Sequence, residues 1–238
     1  MEFPRYLELI RADSELLLEA AEGDWQAPVP SCPGWTALDL VRHVGQVYEH
    51  KVLCMTLDRE PVSNERTTPE SGAWFIAQRD ALLEQLLARD PRQQTQTWFP
   101  PDQTVGFWYR RMALETAVHR VDAELANSQR TAIDADLAAD GVDELLGFVT
   151  YDFGDTPELA EGAGRTVQLD RGKRRWAVTL RTDGVDRAAD DSPADAGFAG
   201  EPSNLLLYLW NRDRSGVRSW GDPAALAAFL TRLGEETQ

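Results

Sequence analysis

A chain of 238 residues has room for two modest domains or one large one, and a hydrophobic fraction of 42% is enough to pack a core, which excludes wholesale disorder. A net charge of -16 repels a polyanion and excludes nucleic acid as the expected partner. No apolar run approaches the ~20 residues of a membrane helix, and Met1-Glu2-Phe3-Pro4-Arg5 leads straight into an amphipathic stretch without a basic and then apolar leader, so a cytoplasmic protein that engages no membrane is expected.

Apolar positions at Tyr6, Leu7, Ile10, Leu16, Leu17 and Leu18 have helical spacing and predict a first helix over residues 4–21. Gly23 and the loop Ala27-Pro28-Val29-Pro30 stop it. Ser31-Cys32-Pro33-Gly34-Trp35 reads as a turn. Thr36 then has the character of an N-cap with Asp39 in the capping-box position, which predicts a second helix from about Ala37 to Leu57. A third is expected from about Pro69 to Ala88, ending before Pro91. Residues 94–106 read as extended or looped, and a fourth helix follows from about Phe107 to Asn127.

The pattern changes after Asn127-Ser128. One more helix is expected over residues 135–149, after which Gly154, Pro157, Gly162 and Gly164 break the chain. Alternation in Thr166-Val167-Gln168-Leu169 and in Arg175–Arg181 predicts two strands, and Thr182-Asp183-Gly184 a turn. Residues 183–195 are acidic and read as disorder-prone. Helices are expected near 202–211 and 223–234. The fold class read from this order is an all-α domain at residues 1–130 followed by a smaller α+β domain at residues 131–238. Cys32 and Cys54 form no CxxC pair. They suit a reducing compartment and read as small buried hydrophobes.

Only three histidines exist: His43, His50 and His119. Glu115 precedes His119 by four residues, so the two share one face of the fourth helix. His43 falls on the second helix. Leu114, Val118, Val121 and Leu125 form an apolar stripe on the fourth helix, and Leu40, Val44 and Val47 mark the buried face of the second. Glu115, His119 and His43 each adjoin these faces. Helical bundles build metal sites from inward-facing ligands on different helices in this way. The same i,i+4 spacing also serves an ordinary surface pair worth a few tenths of a kcal/mol. Three protein ligands leave a coordination position open, as a catalytic site requires. Two imidazoles and a carboxylate suit zinc, with iron, nickel and manganese as alternatives.

Cys32-Pro33-Gly34-Trp35-Thr36, then Asp39-Leu40-Val41 and His43, resembles the mycothiol-dependent maleylpyruvate isomerase family, a branch of the DinB-like superfamily of metal-binding four-helix bundles. Glu115-Thr116-Ala117-Val118-His119-Arg120-Val121-Asp122 resembles its second signature. The resemblance implies a divalent metal, zinc by preference, on His43, Glu115 and His119. Gly200, Leu205–Arg212 and Trp220-Gly221-Asp222 are similar, more loosely, to the family's sterol-carrier-like C-terminal domain, although Asn211 stands where the family more often has Gly.

What the resemblance implies for chemistry is a metal-activated thiolate of mycothiol, a low-molecular-weight thiol of actinobacteria. It would attack a small electrophile, as a cis–trans isomerase or as a thiol S-transferase. Arg212 matches the family's arginine and is the candidate for a substrate carboxylate, which a guanidinium binds bidentately. His50, seven residues after His43, reads as a boundary residue, with a base or an additional ligand as alternatives. Asp122 is a candidate for orienting a ligand or Arg120. Two other classes stay open: a metal-dependent hydrolase using Asp122 or His50 as base, and a non-catalytic metal-binding or regulatory protein.

Overall fold

The computed structural model describes residues 1–62, 72–153, 162–172 and 174–237. The chain divides into two compact units, Met1–Thr131 and Ala132–Gln238. Unit 1 is all helix: α1 (Phe3–Gly23), α2 (Ala37–Leu57), α3 (Gly72–Leu87) and α4 (Val105–Ala126).

The start of α2 follows from its sequence. Asp39 N–H donates to Thr36 Oγ1 at 3.2 Å and Thr36 N–H donates to Asp39 Oδ2 at 3.0 Å, so two orphan donors are satisfied reciprocally. At the far end Asp58 turns left-handed, with φ 51°, and its N–H closes on Cys54 O at 3.0 Å. The expected beginning of the third helix, residues 69–71, lies outside the described residues. Residues 94–104 form the expected loop, pinned by a bridge between Gln94 and Thr104, and α4 begins at Val105, two residues earlier than expected.

Helix α4 is the centre of the unit. It packs on α1 and α2, and α2 packs on α3. The apolar stripe expected on α4 is too narrow a description. Leu114, Val118 and Val121 are buried and Leu125 is half-buried, but residues on every other face from Val105 to Glu124 are buried too. A helix surrounded by neighbours has no solvent face to keep its charges wet, so they pair instead. Arg120 Nη1 donates to Glu124 Oε1 at 2.8 Å, and Arg120 Nε lies 3.1 Å from Asp13 Oδ1 of α1. Thr131 N–H donates to Glu124 Oε2 at 2.6 Å. Likewise the α1 stripe differs from expectation at Leu16, which is exposed, while Leu9 is buried.

Unit 2 opens with α5 (Ala135–Thr150), N-capped by Asp134, whose side chain accepts from the N–H groups of Asp136 and Leu137. Five strands follow in the spatial order β3-β2-β1-β4-β5: β1 (Thr166–Asp170), β2 (Arg175–Arg181), β3 (Gly184–Ala188), β4 (Ala196–Ala199) and β5 (Arg218–Gly221). Strands β1, β2 and β3 form an antiparallel meander, β4 runs parallel to β1, and β5 is antiparallel to β4. Helices α6 (Pro202–Leu209) and α7 (Pro223–Glu236) complete the unit, with α7 packed on β1, β2 and β4.

The stretch 183–195 is not disordered as its acidity led us to expect. Gly184–Ala188 pairs with β2, and Val185 is buried. Asp143 on α5 ties these strands to the helix by accepting from Arg187 Nη2 of β3 and Trp176 Nε1 of β2, each at 2.8 Å. Strands β4 and β5 were not anticipated, because four-residue strands are too short to show a period. Gly154 and Pro157 lie outside the described residues.

Two expectations follow. A Cβ on Gly45 of α2 would lie 2.3 Å from the Trp74 ring of α3. Gly45→Ala should therefore destabilise the protein by about 1–3 kcal/mol, read as a lower urea midpoint; an unchanged midpoint would show that the indole moves aside at no cost. Burial disfavours the charged form of Glu124, but the hydrogen bonds from Arg120 and Thr131 prevail and hold its carboxyl below the ordinary 4.5. A depressed folded-state value lends stability that is present above the unfolded value and lost as pH falls through the folded one. Glu124→Gln should flatten the decline in urea midpoint between about pH 5 and 3, and an identical slope in both proteins would contradict this.

Candidate metal centre

Chain direction in unit 1 sets His43 of α2 against Glu115 and His119 of α4. One ligand atom from each of the three lies within 4.8 Å of the other two. Glu115 Oε1 is the hub, 3.2 Å from His119 Nε2 and 3.5 Å from His43 Nε2. The two imidazoles meet edge to face with centroids 5.1 Å apart. The side chain of His119 is 9% exposed and that of His43 35%, so the cluster is closed on the α4 side and opens to solvent on the α2 side.

Neighbouring groups aim these atoms. His119 Nδ1 is 2.8 Å from Asp122 Oδ2, and a carboxylate can only accept, so Nδ1 carries a hydrogen and Nε2 is the ring nitrogen turned toward Glu115, where a proton or a metal ion can sit. Arg111 Nη2 donates to Glu115 Oε2 at 2.8 Å, which leaves Oε1 for the two histidines. Burial counts against a charged His119, yet Glu115 and Asp122 outweigh it and raise its pKa to about 9. Burial likewise opposes the Glu115 carboxylate, but His119, His43 and Arg111 hold it well below its ordinary range. Surroundings that favour a proton on Nε2 favour any cation there.

The turn before α2 supplies the rest. Trp35 N–H closes on Cys32 O at 3.0 Å, with Pro33 and a left-handed Gly34 (φ 87°) between them, the arrangement of a type II turn. It directs Ser31 Oγ to Asp122 Oδ1 at 2.5 Å and sets Cys32 Sγ 3.9 Å from Oδ2. The Trp35 ring lies 4.9 Å from that of His43. Cys54 is buried as expected, but Cys32 is half-buried and polar in its contacts. Asp122, fully buried, thus takes the orienting position on His119; Arg120 is held by Asp13 and Glu124. Ser31, Arg111 and Trp35 were not singled out from the sequence. Arg111 carried a signal, since Arg111, Glu115 and His119 stand at i, i+4 and i+8; Ser31 carried none.

His50 is buried on α2, held between Glu60 and Lys51. His50, Cys54 and Glu60, and also Cys32, His119 and Asp122, are further groups close enough to share an ion. In the second of these, Asp122 Oδ2 already accepts from His119. Arg212 lies in unit 2 just beyond α6, with Nη1 donating to Trp210 O at 2.7 Å. Asn211 before it is left-handed, φ 54°, a conformation that glycine adopts freely and asparagine tolerates, which accounts for either residue there. Gly221 of the same C-terminal pattern is also structural: φ is 86°, and a Cβ would meet Asp195 O at 2.2 Å. Asp222 caps α7. Trp108 and Tyr109 belong to the core, and Trp210 is half-buried.

A four-helix unit with a two-histidine, one-carboxylate cluster, followed by a small mixed-sheet unit, defines the class of protein. Residues 7–124 match the mycothiol maleylpyruvate isomerase N-terminal domain, and through this unit the chain belongs to that family. The whole chain is similar to two solved structures of mycothiol-dependent maleylpyruvate isomerase, one of them of a mutant in which a histidine is replaced by alanine. Each covers 93% of this chain and 95% of its own, at TM-score 0.53, with 17% identity for the first and 16% for the mutant. At that identity the likeness shows a shared fold. A UbiJ-SCP2 ubiquinone synthesis protein matches 42% of this chain and 96% of its own at 15% identity and TM-score 0.32. No curated protein matches the sequence. No helix among the described residues is long and apolar enough to cross a membrane.

Asp122→Asn replaces an acceptor of full charge by an amide. It is expected to weaken zinc binding by about 10–100-fold while leaving the helical content intact. Competition against a chromogenic chelator reads the affinity, and equal affinities would remove Asp122 from any orienting role.

Proposed function

We propose that this chain is a metal-dependent enzyme that uses mycothiol against a small electrophile, as a maleylpyruvate-isomerase-like cis–trans isomerase or a thiol S-transferase. The observation that carries this reading is the convergence of His43, Glu115 and His119 within 4.8 Å on a cluster open at one side. Family membership supports it, and so does the fold shared with the solved isomerases.

The donor set fits a divalent ion. Two neutral imidazoles and a carboxylate are the ligand types of an open zinc site, and Asp122 and Arg111 already orient His119 and Glu115. A bound ion would supply Lewis acidity that lowers the pKa of a thiol from about 8.5 to below neutrality. His43, the most exposed ligand, marks the side from which a thiol would approach. Arg111 places a guanidinium beside the cluster, where it offsets part of the negative charge that an attacking thiolate adds. Arg212 remains the candidate for a substrate carboxylate. Nucleophilic addition to an activated double bond, rotation and loss of the thiol make an isomerase; a stable adduct, or departure of a leaving group, makes a transferase.

A hydrolase would need a base beside the ion. Asp122 is fully buried and committed to His119 and Ser31, and His50 has Glu60 and Lys51 on its two nitrogens. Those commitments favour the thiol reading.

Purified protein should carry close to one divalent ion per chain, and His119→Ala should lose it by a factor of at least about a hundred. Incubation with mycothiol and maleylpyruvate, a haloarene or an epoxide then separates the two outcomes. Isomerised product without thiol consumption identifies the isomerase, and a stable conjugate the transferase. Protein without an ion, or with an ion and no activity with any thiol, would overturn the proposal.

A further inference from the structure

His50 sits in a hydrogen-bonded chain of three side chains. Its Nε2 is 2.6 Å from Glu60 Oε1, and its Nδ1 is 3.0 Å from Lys51 Nζ. A carboxylate only accepts and an ammonium only donates. Nε2 therefore carries the ring hydrogen, and Nδ1 accepts from Lys51. A neutral imidazole in this position holds the lysine without cancelling its charge.

Among the described residues the rest of the Lys51 environment supplies no direct counter-ion. Its ammonium lies 4.7 Å from the centre of the Trp108 ring. Among the described residues no carboxylate forms an ion pair with it. Burial pushes its pKa down, against the charges of Cys54, Glu115 and Glu60 that push it up. A cation held partly out of water with no carboxylate in direct contact among the described residues is costly, and an anion supplied by a ligand relieves that cost.

Position connects this cation to the metal cluster. His43, Val47 and Lys51 form a half-buried stripe at i, i+4 and i+8 on α2. His43 faces Glu115 and His119, whereas Lys51 faces Trp108, so the neighbouring α4 runs antiparallel beside the stripe. Arg111 lies between, bonded to Glu115 and felt electrostatically by Lys51. Eight residues of helix set the two ends of the stripe about 12 Å apart along the axis. A second metal on His50, Cys54 and Glu60 fits less well, because Lys51 occupies Nδ1 and its ammonium repels a cation.

We propose that Lys51 is a substrate-binding residue that takes a carboxylate of the electrophile, with His50 and Glu60 holding its ammonium in place. The proposal rests on the thiol-enzyme reading of the neighbouring cluster.

The test is binding of maleate to the full-length protein as purified, without thiol, by titration calorimetry, with neutral dimethyl maleate as control. Lys51→Met keeps the apolar stem and removes the charge. It should weaken maleate by about tenfold or more, Lys51→Arg should stay within about threefold of the parent, and the diester should not distinguish the three proteins. Maleate that fails to bind the parent protein, or that binds Lys51→Met as well as the parent, overturns the proposal. A second measurement needs no variant. Lysine occurs only at Lys51 and Lys173, so reductive methylation followed by mass spectrometry reads Lys51 with Lys173 as internal control. Maleate should protect Lys51 alone, and equal labelling with and without it counts against the proposal. The two readings fail separately: maleate binding lost in Lys51→Met, with no thiol chemistry in the parent, sinks the enzyme reading and keeps Lys51 as a carboxylate-binding residue. Thiol chemistry on a carboxylate electrophile at parental KM in Lys51→Met sinks the Lys51 assignment only.

Discussion

The hydrogen bond from His119 Nδ1 to Asp122 Oδ2 is 2.8 Å long and closed to solvent, and the geometry of the cluster depends on it. It fixes the orientation of the ring and leaves Nε2 as the nitrogen that faces Glu115, where a proton or an ion can be held. A carboxylate with no exposed surface must itself be satisfied, and Ser31 and Cys32 from the turn before α2 do this. The Cys-Pro-Gly-Trp turn is therefore coupled to the His43–Glu115–His119 cluster through a residue some 90 positions away in the chain. The same turn lays Trp35 on His43 and leads into the capping box that starts α2. One buried aspartate thus ties both motif segments into one site.

Charge in unit 1 is arranged along α4 in two regimes. Toward the C-terminal end, Arg120, Glu124 and Asp13 neutralise one another in the core and serve structure. Toward the middle, Glu115 is shared between Arg111 and two histidines, and one of its oxygens faces only groups that can lose a proton. Beyond it, Lys51 rests on an uncharged imidazole. A helix buried on all sides forces such pairings, because each charge there must find a partner or lower its burial cost in another way. The residues proposed for metal and substrate, His43, Glu115, His119 and Lys51, are ones that a bound ion or anion would complete.

The helices of unit 1 were legible because their signals are local. The Thr36–Asp39 box and the apolar period of α2 define the same bounds that the structure shows. Unit 2 was legible only in part. Strands β1 and β2 alternate visibly, but β4, Ala-Gly-Phe-Ala, is buried at three of its four positions and β5 is exposed throughout, so neither has a period to read. Acidity misled at 183–195, since the ladder to β2 and the burial of Val185 order its first residues. The glycines at 197 and 221 are explained by close approach: a Cβ on Gly197 would fall 2.4 Å from Gln168 O.

The amino-acid sequence by itself determined the helical order of unit 1, the i,i+4 pairing of Glu115 with His119, and the two motif segments that place the chain in its family. These depend on neighbours within a turn or two, where spacing converts directly into a shared face. Only the tertiary structure decided that His43 meets that pair, that Asp122 rather than solvent takes Nδ1, that Ser31 reaches Asp122, and that Lys51 is held by His50 beside Trp108. Each of these depends on how helices pack or on which polar group reaches another in space, and no periodicity in a single chain encodes such a distance.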